Sequence, residues 1–102
     1  MPRGTDTLGG GGRARERDAR REHAERVATD AAVLAAVVRL GGRGSWTNMV
    51  AQVVAGSYPP DREAFADGEV LARTSEALQR LERDGLVECQ LGGDWAPRGG
   101  AP

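Results

Sequence analysis

The chain contains no lysine: its 14 basic residues are all arginine, set against 15 acidic residues for a formal charge of −1. Any phosphate contact therefore falls to guanidinium groups. The near-balance of charge predicts no strong general attraction to nucleic acid or to an anionic membrane. Cysteine occurs once, as Cys89, and histidine once, as His23. A single thiol excludes an intramolecular disulfide and any multi-cysteine zinc site. A lone histidine in a charged segment has no fixed partner for acid–base work. No apolar stretch reaches the roughly 18 residues that a membrane span needs. The first 26 residues hold no apolar run, so no secretory leader is expected. The glycine-rich stretches GGGGR and RLGGRGS lack the flanking strand and spacing of a phosphate-binding loop. A non-enzymatic cytoplasmic protein of one domain, with no metal or other cofactor, is the expectation.

What is present is organised by changes in composition. Residues 1–12 end in four consecutive glycines and read as a disordered tail. Residues 13–29 are strong helix formers with almost no apolar stripe; Glu16 with Arg20 and Glu22 with Arg26 form favourable i,i+4 pairs. This charged helical arm, together with the tail before it, has seven arginines and five acidic residues, so it is slightly basic. At Asp30 the pattern turns apolar. Val33, Leu34, Val37 and Leu40 line one helical face, and Gly41 with Gly42 supplies the stop. Asp30 either caps this helix or lies within one long helix continuing the arm.

Thr47 reads as the cap of a second helix carrying Met49, Val50, Val53 and Val54 inward, ended by Gly56. A loop opened by Pro59 and Pro60 follows, with Tyr58 and Phe65 expected to pin it to the domain. The third and most regular helix spans 69–84, with Leu71, Thr74, Leu78 and Leu81 on its apolar face and Asp67 as cap. Gly85 allows a left-handed turn into Val87, Cys89 and Leu91, which alternate with Glu88 and Gln90 as in a half-buried strand. Cys89 accordingly reads as a buried thiol rather than a redox sensor, and Trp46 and Trp95 as core anchors. A two-residue turn would pair Trp95 with Gln90, and a three-residue turn would pair it with Leu91. The second keeps the indole on the apolar face and is preferred. Residues 98–102 read as a frayed end.

The order helix, helix, helix, hairpin fits in fewer than 70 residues. The stretch RTSEALQRLERDGLVE resembles the recognition helix and first wing strand of bacterial winged helix-turn-helix regulators, matched at Thr74, Leu78, Leu81, Gly85, Leu86 and Val87. WTNMVAQVVAG resembles the helix before it. The likeness covers about two-thirds of the chain, with one departure. About twelve residues, including Pro-Pro, separate the second and third helices where tight versions use three or four.

The resemblance implies a fold that is mainly α with a small β-hairpin, a winged helix-turn-helix of three core helices plus wing over residues 30–97. It also implies a transcriptional regulator that binds double-stranded DNA as a homodimer. The third helix would lie in the major groove and hairpin 86–97 would serve as wing. The candidate contact residues are then Arg73, Thr74, Glu76, Gln79, Arg80 and Arg83 on the third helix, with Ser45, Thr47 and Asn48 at the second for phosphate. Arg39, Arg43, Arg73 and Arg80 should converge into one basic surface. Charge argues the other way: from Asp30 onward seven arginines face ten carboxylates, whereas DNA-binding domains are usually basic. A winged-helix module that binds another protein is the alternative. The arm, for its part, is a dimerisation helix, a strap along DNA, or a solvated extension.

Overall fold

The computed structural model describes the backbone of residues 3–42 and 44–98, and side chains within that range from Arg15 onward. Four helices, α1 (Arg3–Val27), α2 (Asp30–Leu40), α3 (Thr47–Val54) and α4 (Gly68–Arg83), precede two short strands, β1 (Val87–Cys89) and β2 (Trp95–Pro97). The strands form one antiparallel hairpin. The fold is mainly helical with a small two-stranded sheet.

Helix α1 begins ten residues before the charged arm, so residues 3–12 are helical where the sequence suggests a disordered tail. Continuing the helix through the glycines carries a propensity cost of about 1 kcal/mol each relative to alanine. The break between α1 and α2 falls at Thr29 rather than Asp30. Thr29 has extended backbone, and its hydroxyl accepts a hydrogen bond from the Ala32 amide at 3.1 Å. Asp30 thus neither caps α2 nor continues the arm. It occupies the first turn, where a negative charge suits the helix dipole. At the other end Gly41 adopts φ +71°, and its amide satisfies the carbonyls of Val37 and Val38.

The first residue of α3 is Thr47, and its cap position belongs to Trp46, which supplies no side-chain bond. The Thr47 hydroxyl is diverted to accept the indole N–H of Trp95 at 3.0 Å. A half-buried indole needs such an acceptor. The long connector between α3 and α4 is held by two amides of α3. Gln52 bonds the Asp61 amide and the carbonyls of Asp61 and Ala64; Asn48 bonds the Ala64 carbonyl and the Ala66 amide. The aromatics expected to pin this loop do not. Phe65 is 82% exposed, and Tyr58 is half exposed beneath the Arg39 guanidinium, 3.8 Å from its ring centre. Backbone anchoring on either side of Phe65 turns its side chain outward.

Asp67 caps α4, accepting from the amides of Glu69 and Val70. Val70, Thr74, Ala77, Leu78 and Leu81 are buried along one stripe of α4. Leu78 and Leu81 join Val33, Ala36, Val37, Val50 and Val87 in the main core. Leu71 is only partly buried, in a smaller cluster where Ala24 of α1 meets Ala51 and Val70. That contact fixes the end of the arm to the domain.

Gly85, at φ +80°, turns the chain into the hairpin. Cys89 lies opposite Trp95, Glu88 opposite Ala96 and Val87 opposite Pro97. The Gln90 amide bonds the Asp94 carbonyl at 2.7 Å, which leaves Leu91, Gly92 and Gly93 as a three-residue loop. The loop length is as preferred from sequence, but it starts one residue earlier, so Trp95 pairs with Cys89 instead of Leu91. Parity is kept, and burial is not: Val87 is buried, while Cys89 and Leu91 are exposed. Only the first residue of β1 sits over the core, and the strand then runs clear of it. The far side of β2 meets Ser45, whose carbonyl accepts the Trp95 amide and whose hydroxyl donates back to the Trp95 carbonyl. Trp95 is partly buried, as an anchor should be, whereas Trp46 is 43% exposed. Residues 99–102 of the expected frayed end lie outside the described range.

Two substitutions measure these contacts. Leu78→Ala should cost about 2–5 kcal/mol in urea unfolding, the usual range for emptying a closed core site. Leu91→Ala should leave the midpoint unchanged. Gln52→Ala should cost about 1–3 kcal/mol through the unpaired groups it strands under the connector, with local loss of hydrogen-exchange protection around Asp61–Ala66.

Candidate functional site

The side of α4 opposite its buried stripe carries Ala72, Glu76, Gln79 and Arg83, all exposed. Their spacing of four, three and four residues keeps them on one helical face. The hairpin follows directly from the end of this helix. Of the residues singled out in the sequence, Gln79, Glu76 and Arg83 therefore stand on the open face. Thr74 does not: it is completely buried, with its hydroxyl lacking a hydrogen-bond partner among the described residues. Its place on the apolar stripe is correct, and a surface contact from it is ruled out.

Arg73 and Arg80 sit two turns apart on one flank of α4. Neither guanidinium is unoccupied. Arg80 engages Asp30 through a bidentate pair, Nη2 to Oδ1 at 2.8 Å and Nε to both carboxylate oxygens at 3.2 and 3.3 Å. Arg73 binds Glu76 at 3.0 Å and reaches Glu25 of α1 at 3.6 Å. Its Nε is buried without a partner among the described residues. The flank of α4 nearest the arm is thus an alternation of cations and carboxylates with little net charge.

The three polar residues expected to hold phosphate at α3 are committed elsewhere. Ser45 is buried and donates to the Trp95 carbonyl; Thr47 accepts the Trp95 indole; Asn48 grips the connector. Each satisfies a group inside the fold that would otherwise be left without a partner, and that role fixes where its side chain lies. The expected basic surface is also absent among the described residues. Arg39 lies in the last turn of α2 against Tyr58, while Arg80 binds the first residue of the same helix. Nine residues of helix place these ends about 14 Å apart. Arg43 lies outside the described residues.

Two features had little signal in the sequence. One is the Asp30–Arg80 pair, whose members are fifty residues apart; Asp30 by itself reads only as a helix-start residue. The other is the exposed Trp46, with the Arg62 guanidinium 5.7 Å from its ring centre. An open groove of about 250 Å³ also runs between α2 and α3, lined by Ala32, Ala35, Ala36, Arg39, Val53 and Val54. Among the described residues no cluster of His, Cys, Asp and Glu is arranged to hold a metal, and no helix is long and apolar enough to cross a membrane.

The hydrogen bonds from Arg80 hold the Asp30 carboxyl below its ordinary value of 3.8, more than offsetting partial desolvation, with the Arg80 charge adding to the effect. The same pairing raises Arg80. Because the folded value is the lower one, the stabilisation is present at neutral pH and is lost as pH falls through the acid range below about 4. An NMR titration should find the Asp30 midpoint depressed in the wild type and restored in Arg80→Ala. The wild-type and Asp30→Asn urea midpoints should draw together as the carboxyl is protonated. No family model matches this chain, and neither a curated protein nor a solved structure matches it.

Proposed function

We propose that the chain is a winged helix-turn-helix module that binds double-stranded DNA as a homodimer in the cytoplasm and regulates transcription. In this reading α4 lies in the major groove and the β1–β2 hairpin follows the backbone as the wing. The observation that carries it is the open face of α4, with Gln79 and Arg83 projecting from a helix firmly seated on α2 and α3 and leading straight into a hairpin. Arg83 suits guanine and Gln79 suits adenine. Glu76 would favour cytosine or would reject the backbone if misplaced. The short pairing of Ser45 with Trp95 supports the same architecture, since it ties the segment before α3 to the hairpin edge.

The homodimer part rests on α2. Its side away from the core presents Ala31, Ala35 and Val38, with Val38 55% exposed. A helix apolar on both sides is normally covered on both. Sedimentation should show a concentration-dependent dimer that Val38→Glu converts to monomer.

A second reading is favoured by a specific observation. Arg73 and Arg80 are neutralised by carboxylates, and the domain from Asp30 on has fewer arginines than acids. A module of that charge suits a protein partner better than a polyanion. Salt titration of duplex binding by fluorescence anisotropy separates the two. DNA binding should give log affinity falling linearly with log salt, about 0.9 units of slope per phosphate neutralised. At a site selected from random duplexes, Arg83→Ala should cost about 1–3 kcal/mol. Failure to retain duplex even at low salt would favour the protein-binding module.

A further inference from the structure

We propose that Asp30 acts as a built-in competitor for phosphate, occupying the Arg80 guanidinium until an anionic duplex displaces it, so that the junction between α1 and α2 sets the DNA affinity of α4. This rests on the DNA-binding reading and deepens it. A carboxylate and a phosphate both engage a guanidinium edge through two parallel N–H donors, so on that edge one excludes the other. Here the carboxylate occupies the Nε–Nη2 edge, with three hydrogen bonds between 2.8 and 3.3 Å.

Three further observations make the pair a switch rather than a fixed brace. Both side chains are close to half exposed, at 45% for Arg80 and 44% for Asp30. Exposed ion pairs are weak enough to exchange. The competitor also lies at a joint: Asp30 is the first residue after the Ala28–Thr29 break, and the last turns of α1 just before the break bring Glu25 to Arg73. Finally, the two arginines differ. Arg73 is held by carboxylates from two helices and is only 29% exposed, whereas Arg80 pairs with Asp30 alone among the described residues. Arg80 is therefore the cation released first, and it borders the open face through its neighbour Gln79.

The test uses the full chain and a fluorescein-labelled duplex of random sequence, read by anisotropy across a salt series. Asp30→Asn should tighten binding about fivefold, the upper reach of an exposed ion pair. It should also steepen the salt slope by about one unit, because Arg80 gains a phosphate. Glu82→Gln, which removes a carboxylate from α4 outside these ion pairs, should change affinity by less than about twofold and controls for net charge. In an Arg80→Ala background Asp30→Asn should have no effect. Thermal melts establish that each variant is folded. Asp30→Ser, which also suits a helix start, replaces Asp30→Asn if the latter melts below the working temperature.

Equal gains from Asp30→Asn and Glu82→Gln, or a gain that survives loss of Arg80, would overturn the proposal. Wild-type binding that Asp30→Asn leaves unchanged sinks this inference alone. No retention by either protein sinks the DNA reading as well.

Discussion

The structure depends on one packing event: the burial of a single stripe of α4 against α2 and α3. Leu78 and Leu81 close over Val33, Val37 and Val50, and Val87 seals the end of the same cluster as the chain leaves the helix. The second cluster, around Ala24, Ala51 and Val70, is smaller and is built on the same helix, so it does not replace the first; small domains leave much of their chain exposed. Everything with functional bearing is oriented by that stripe. It decides which side of α4 faces solvent, aims the hairpin, and sets the flank along which α1 is docked through Ala24.

The regular parts of this arrangement were readable because their causes are local. The period of Leu78, Leu81 and Val70, the Asp67 cap and the Gly85 turn each act within a few residues. Thr74 shows the limit of periodicity used for two purposes. It belongs to the buried stripe, and a motif resemblance alone would have sent it to the surface. Cys89 and Leu91 alternate correctly yet lie outside the core, because alternation reports which face a side chain takes and says nothing about how far the core extends beneath it.

The polar residues were legible as types and not as roles. Ser45, Thr47 and Asn48 have the chemistry of phosphate ligands, but the same groups are what a short fold needs to satisfy an indole, a strand edge and a long connector. Which demand prevails depends on neighbours brought together by tertiary structure, fifty residues away in the case of Trp95. The arginines of α4 follow the same rule. Their shared flank and the Arg73–Glu76 pair are matters of helical spacing, whereas Glu25 and Asp30 come from the arm and from the start of α2, at distances no local pattern encodes.

The grip of Asn48 and Gln52 on the connector divides that loop into two halves with different freedoms. Every side-chain bond from these amides falls between Asp61 and Ala66, while Ser57 is held by the backbone, its amide donating to the Gln52 carbonyl. The position of α4 is thereby referenced to α3 from Asp61 onward. Loop closure entropy rises only slowly with length, so drift in the number of residues before Asp61 would leave the interhelical geometry intact. Changes after it would shift the register of the whole α4 stripe. The long link between the two helices is in this sense a short one, preceded by a segment fastened separately to the end of α3 and to Arg39.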